Sequence, residues 1–271
     1  MSDVATPLLP DLAGGSVWLV GVGPGDPGLL SLLAFRAIRQ ADVIIHDDDL
    51  DPAIRGLLPA TAAVEVLVAT DAMPSLAVAA AHRAGALAAL GWRVVRLVAG
   101  DPFGSPSAIE EAQLLLEARI ALRVVPGIVA TLAGPAYAGI PATQRDVNSL
   151  FAMLALREGD EAAVSAAARA VPMLFLSLTL GSVSRVVAVL QEAGYDPSTP
   201  ITLITRAGTL RQSVEETTLA AYRRGDEVSS TPAVLVIDRT AARRDAPRAR
   251  TFEGVRIPAH PLGFSMAGIA G

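Results

Sequence analysis

Three of the four apolar runs in the first half of this chain end in a cluster of glycine, proline or aspartate, and that repeated ending constrains the fold more than any other feature. "VWLVGVGPGDPGLL" (17–30) begins as a Val/Leu strand over 17–22 and leaves it through a stiff turn carrying Asp26. The runs at 42–47, 92–100 and 122–128 also read as buried strands, and the clusters fall at 23–28, 100–106 and 126–127. Between them lie segments with helical spacing. Residues 27–41 place Leu30, Leu33, Ala34, Ala37 and Ile38 on one face, and 76–90 is an Ala-rich helix. Strands alternating with helices predict an α/β fold with a mainly parallel sheet covered on both faces. Ligands of such sheets bind beyond the carboxyl ends of the strands, where the clusters lie.

Beyond 138–146 the texture changes. Strands are predicted at 149–156, 173–180, 200–208 and 232–239, and helices at 160–170, 181–193 and 214–225. The expected organisation is an N-terminal extension (1–15), an α/β domain (16–145), a second mainly parallel α/β domain (146–240) and a poorly ordered Arg/Pro/Gly-rich tail (241–271).

Composition removes several chemistries. All 22 basic residues are arginine, so a Schiff-base lysine and a Walker lysine are excluded. Cysteine is absent, which excludes disulfides, thiolate nucleophiles and Cys-ligated zinc. The net charge of −5 argues against a nucleic-acid surface. No signal peptide and no charge-free apolar run of membrane length are visible, so a cytoplasmic protein with no membrane partner is expected. His46 stands beside Asp47, Asp48 and Asp49, but the other histidines, His82 and His260, are not spaced as ligands, and no metal site is expected.

Gly21, Gly23 and Gly25 invite comparison with the dinucleotide fingerprint G-x-G-x-x-G, which fails because Asp26 stands at the third glycine. A strand-to-helix turn would explain the stretch taken alone. A second G-D-P tripeptide, in "AGDPFG" (99–104), favours a ligand: glycine admits close backbone approach, and an aspartate accepts hydrogen bonds. Asp101 there could equally cap a helix.

"VWLVGVGPGDPGLLSLLAFRAIRQADVII", "RVVRLVAGDPF", "VVPGI" and "GPAYAGIPATQRD" resemble the tetrapyrrole (corrin/porphyrin) methylases, and "GTLRQSVEETTL" (208–219) with "TPAVLVIDR" continues the likeness to about residue 240. The resemblance implies a two-domain homodimer that holds S-adenosylmethionine (SAM) in an interdomain cleft and releases S-adenosylhomocysteine. It implies C-methylation of a tetrapyrrole, with uroporphyrinogen III converted to precorrin-2 for sirohaem and cobalamin. The cofactor residues it implies are Pro24, Gly100, Asp101, Phe103, Gly104, Val129, Ala130, Ser177, Gly208, Pro232 and Ala233. Arg145 and Asp146 fall at substrate positions, and Asp47 at the position of a proton acceptor.

The departures from the family pattern have one sign. Asp48 and Ser107 stand where arginines are usual, Thr70 is the nearest counterpart of a lysine, and Gln144 replaces a histidine. Each charged contact to a substrate carboxylate is worth on the order of 1.5–3 kcal/mol, so these losses bear on the acceptor. A methylase of another acceptor, such as a later corrin intermediate, and a catalytically silent SAM-binding paralogue are the alternative expectations.

Overall fold

The computed structural model describes residues 9–68, 75–157, 159–223 and 229–240; Thr70, His260 and the 241–271 tail lie outside the described residues. In the first half, Val- and Ile-rich runs form β1 (Ser16–Gly21), β2 (Val43–Asp47), β3 (Ala63–Leu67), β4 (Arg93–Val98) and β5 (Ala121–Val125). They pair in parallel in the order β3-β2-β4-β1-β5. The segments between and after them carry α1 (Leu32–Gln40), α2 (Pro52–Arg55), α3 (Leu76–Ala89), α4 (Pro106–Glu117) and α5 (Ala130–Tyr137). Ser31 starts α1 by accepting the Ala34 N–H at 3.1 Å.

Val20, Ile44 and Leu97 pack on Ala34, Ala37 and Ile38 of α1 on one face of this sheet. On the other face Val17, Ile45 and Val94 meet Ala81, Ala84 and Leu87 of α3 and Leu115 of α4. Burial of each large aliphatic side chain contributes about 1.5–3 kcal/mol, so the sheet is clamped from both sides. The edge strand β3 was not expected from the sequence. Its five residues are too short a pattern to stand out, and register with β2, from Val43↔Ala63 to Asp47↔Leu67, is what makes them a strand.

In the second half, β6 (Ala152–Ala155), β7 (Met173–Thr179), β8 (Pro200–Thr205), β9 (Ser213–Thr218) and β10 (Pro232–Asp238) form a sheet in the order β6-β7-β10-β8-β9, with α6 (Glu161–Ala170) and α7 (Val183–Glu192) close to the ranges expected. Two expectations are corrected here. The second sheet is mixed: β6 and β7 run parallel, whereas β7–β10, β10–β8 and β8–β9 are antiparallel. The helix expected over 214–225 is instead β9 over 214–218, half of its described length. "SVEETT" has no apolar helical stripe, its Val and Thr residues favour extended backbone, and pairing along β8 satisfies its peptide groups.

The carboxyl ends of β4, β1 and β5 converge on three glycines. A Cβ on Gly21 would lie 2.6 Å from the Gly127 nitrogen and 2.7 Å from the Gly100 oxygen. A Cβ on Gly127 would overlap the Gly100 carbonyl oxygen and sit 2.8 Å from the Gly21 carbonyl carbon. Only side-chain-free residues allow three backbones to approach so closely. Just beyond, Gly23 and Gly100 exchange main-chain hydrogen bonds of 3.2 and 2.8 Å.

Asp26, the aspartate inside the first turn, is used internally. Its Oδ1 accepts the Gly28 N–H at 2.7 Å, starting the 3-10 turn at 27–29, and its Oδ2 accepts the Tyr137 hydroxyl at 2.8 Å. The turn is thereby tied to the last residue of α5. Burial, then the neighbouring Asp26 carboxylate, push the Tyr137 hydroxyl from 10.0 up to about 12.

Two predictions follow from these contacts. Gly127→Ala should cost about 3 kcal/mol or more, or prevent folding, because rigid backbone surrounds the new methyl. Gly139→Ala, at φ +69° with nothing within 4 Å, should cost only the left-handed strain of about 1–2 kcal/mol; urea melts of the two variants make the comparison. For Tyr137, the raised hydroxyl adds stability that is complete below pH 10.0 and lost as pH rises through about 12. Tyr137→Phe should lower the melting temperature at neutral pH and flatten its fall across that alkaline window.

Candidate functional site

The glycine-walled strand ends of the first sheet face the second sheet across a cavity of about 540 Å³, within the usual range for small-molecule sites. Pro24 sits between Gly23 (φ +72°) and Gly25 (φ +129°) on its floor. Behind it Gly208 (φ +71°) fits so tightly that a Cβ would lie 2.5 Å from the Pro24 ring. Arg211 reaches back to Asp51 at 3.0 Å, and Gln212 bridges the Gly208 N–H and the Gly134 carbonyl at 2.7 and 3.1 Å. The second sheet is thereby fixed against the first turn.

Nine of the residues expected to hold a cofactor line this cavity. Pro24, Gly100, Asp101 and Gly104 come from the strand-end loops, Val129 and Ala130 from the start of α5, and Ser177, Pro232 and Ala233 from β7 and β10. Asp101 also does a structural job. Its Oδ1 accepts the N–H groups of Phe103 and Gly104 at 2.9 and 3.2 Å, and its Oδ2 accepts the Gly127 N–H at 2.9 Å. The cap reading of this residue holds: the carboxylate locks the loop whose residues wall the cavity. Val129 precedes α5 without a side-chain cap, so the first peptide N–H groups of α5 are left for the cavity.

Other expected residues lie elsewhere. Phe103 is exposed outside the cavity, because the Asp101 turn brings Gly104 rather than Phe103 to face it. Gly208 supports Pro24 from behind instead of lining the space. Arg145 and Asp146 sit on a separate concavity formed by residues 143–149, where the bridge between Gln144 and Asn148 closes a turn with Asp146 at φ +63°. Residues that the sequence reading missed also line the cavity: Asp49 and Asp51 after β2, Thr131 on α5, Met153 on β6, and Arg206 and Thr209 after β8.

Asp47 ends β2 and belongs to a charge cluster beneath the sheet rim. Arg96, 2% exposed on β4, donates from Nη2 to both Asp47 oxygens at 2.8 and 2.9 Å. It also donates to both Glu111 oxygens on α4, at 3.1 and 3.0 Å, and to the Leu97 carbonyl at 2.7 Å. Burial pushes the Glu111 carboxyl up, and the Arg96 guanidinium opposes that shift. A buried guanidinium is tolerated only with such a full set of acceptors. Asp47 does not line the cavity, whereas Asp49 does. Burial first, then repulsion from Asp47 and Asp48, raise the Asp49 carboxyl above its ordinary value. Next to them His46 is buried, with Nδ1 donating to the Asp47 carbonyl at 2.6 Å. Among the described residues no group of three His, Cys, Asp or Glu is arranged to hold a metal ion.

Comparison with known proteins agrees with this architecture. A sequence profile of the tetrapyrrole (corrin/porphyrin) methylases matches residues 16–222. A uroporphyrinogen-III C-methyltransferase of a Sinorhizobium species is 38% identical over 248 residues, 88% of each chain. The sirohaem synthase of Tolumonas auensis is 34% identical over 87% of this chain, which spans only 51% of that longer protein. Among solved structures, the Thermus thermophilus uroporphyrin-III C-methyltransferase in complex with S-adenosylhomocysteine superposes with a TM-score of 0.68 at 28% identity, covering 84% of this chain and all of the other. A cobalt precorrin-4 methyltransferase at 22% identity shares the fold, with a TM-score of 0.67. With its glycine-walled cleft between two sheets and these relatives along most of its length, the chain belongs to the tetrapyrrole (corrin/porphyrin) methylases.

Proposed function

We propose that the chain is a SAM-dependent methyltransferase that C-methylates a tetrapyrrole, with uroporphyrinogen III as the acceptor and precorrin-2 as the product. The observation that carries this reading is the cavity between the sheets, walled by main chain at Gly23–Gly25 and Ala99–Asp101, on a fold shared with a relative crystallised with S-adenosylhomocysteine. The residues present fit the cofactor. Gly100 and Gly104 leave room for close approach, and the open N–H groups at the start of α5 suit a carboxylate through the helix dipole. Ala130, Ala233 and Pro232 offer apolar contact to an adenosine. SAM supplies an electrophilic methyl on a positively charged sulfur. The chain contributes alignment: the rigid turn through Pro24 and the Asp101-locked loop fix the cleft so that donor and acceptor carbon meet in line.

The two sheets are read as two domains dividing near residue 146, between the last strand of the first sheet and the first strand of the second. The functional unit is read as a homodimer, for which the exposed apolar side chains Ile128, Leu132 and Leu150 offer contact area. A cytoplasmic location is consistent with a net charge of −5 and with the described residues, among which no helix is long and apolar enough to cross a membrane.

Calorimetry should show one SAM site per chain, and incubation with uroporphyrinogen III and labelled SAM should transfer two methyl groups. Binding without transfer would move the assignment to another acceptor or to a silent SAM-binding paralogue, and an absence of binding at millimolar SAM would overturn the methyltransferase reading. Gly104→Val should weaken SAM at least tenfold while barely changing the melting temperature. Its Cβ meets only Val129 Cγ1 at 3.6 Å and Asp101 Cβ at 3.9 Å, so the added bulk enters the cleft rather than the core.

A further inference from the structure

We propose that Glu111 is a positioning residue for the reaction: acting through Arg96, it sets both the place and the basicity of the Asp47 carboxylate. The inference rests on the methyltransferase reading, with Asp47 at the proton-accepting position that the family resemblance implies. In that step the acceptor carbon's π pair forms the new C–C bond, and the donor's C–S pair returns to sulfur as a neutral thioether. The cationic product then loses one C–H proton to an Asp47 oxygen, which passes it to water.

Strand register brings the three groups together. Arg96 lies beside Ile45 in the β2–β4 ladder, and Asp47, two residues beyond Ile45, shares its face of the sheet. That face packs on α4, whose buried stripe carries Glu111 with Ala108, Ala112 and Leu115. The Glu111 oxygens accept from Nε and Nη2 of Arg96 at 3.1 and 3.0 Å, and the Leu97 carbonyl accepts from Nη1 at 2.7 Å. The guanidinium plane is thereby fixed, and the remaining Nη2 hydrogen goes to the Asp47 oxygens at 2.8 and 2.9 Å. The Arg96 and Glu111 side chains are 2% exposed and that of Asp47 is 28% exposed, so a buried pair holds the one carboxylate of the cluster that is open at the rim. Asp49, two residues further on, already lines the cleft.

One positive charge serves two carboxylates. Glu111 takes up part of a field that would otherwise stabilise the Asp47 anion alone. The other charged groups nearby do not replace Arg96. Asp48 and Asp49 follow Asp47 and are negative, and His46 directs Nδ1 to the Asp47 carbonyl. Arg55 of α2 donates to the carbonyls of Asp48 and Leu50, Glu65 of β3 pairs with Arg83, and Glu110 adds a further negative charge beside Glu111. Among the described residues no second cation pairs with Asp47. Removing the Glu111 charge leaves Arg96 wholly to Asp47, which then ionises at lower pH and takes a proton less readily.

The test is kinetic, with uroporphyrinogen III and labelled SAM on the full chain. Glu111→Gln should lower kcat roughly tenfold, carry the acid limb of kcat to lower pH, and leave the SAM Kd within about twofold of wild type. Glu111→Asp keeps the charge and draws it back by one methylene, so kcat should fall roughly fivefold while the limb stays at its wild-type pH. A folded Glu111→Gln with wild-type kcat and limb would overturn the proposal. The same limb shift in both variants would also overturn it, because the charge would then not be the source. Where Glu111→Gln melts below the assay temperature, Glu111→Asp decides alone. Lowered kcat with SAM Kd and melting temperature preserved supports the positioning role, and wild-type kcat removes it. A wild type that neither binds SAM nor transfers methyl fails the methyltransferase reading, and this proposal with it. A wild type that turns over beside an unaffected Glu111→Gln leaves that reading in place and sinks this one.

Discussion

The structure depends on main chain touching main chain at Gly21, Gly100 and Gly127. These residues end or follow three adjacent parallel strands, so their contact fixes where the loops after β1, β4 and β5 depart. Everything that lines the cleft from the first sheet grows out of that point. A single methyl on Gly21 or Gly127 would meet backbone atoms at under 3 Å, and backbone cannot yield as a flexible side chain can. The Asp101 carboxylate then sets the outgoing loop by bonding to three peptide N–H groups, one of them that of Gly127. Geometry at the site is thus imposed by peptide groups and one charge-assisted clamp, which are stiffer than side-chain packing alone.

Charge is organised around a second constraint. Arg96 is buried, and an unpaired guanidinium in that position would be strongly destabilising, so two carboxylates and a carbonyl converge on it. At Glu111, burial outweighs attraction, and its proton affinity rises. Asp47, more open, stays within the ion pair. The same negative charge repels Asp49 and adds to burial in raising its carboxyl, against the pull of Arg96.

Much of the first sheet was legible because its inner strands β1, β2 and β4 are buried on both faces and read as largely apolar runs. β3 was missed since Ala63–Leu67 alternates for only five residues and is defined by its neighbour. β9 was taken for a helix because "SVEETTLAAYRR" is polar enough for either, and only β8 decides. At the site, the glycines and Pro24 were readable as backbone signals. The Arg96 cluster had a signal too: Glu111 shares the buried stripe of α4 with Ala108, Ala112 and Leu115, and a carboxylate there requires a cation. Phe103, Arg145 and Asp146 lie off the cavity, because chain proximity to a motif says nothing about which way a turn directs each residue.

By itself the sequence determined the alternation of strand and helix, the absence of lysine and cysteine chemistry, and the places where the chain must leave its strands through glycine. These follow from local backbone freedom and from the period of apolar residues, which act over a few positions. Only the tertiary structure decided which carboxylate faces the cleft, which is bound to Arg96, and which are used by peptide N–H groups. Those outcomes depend on distances between residues as far apart in the chain as Asp47, Arg96 and Glu111, and such distances exist only once the sheets have packed.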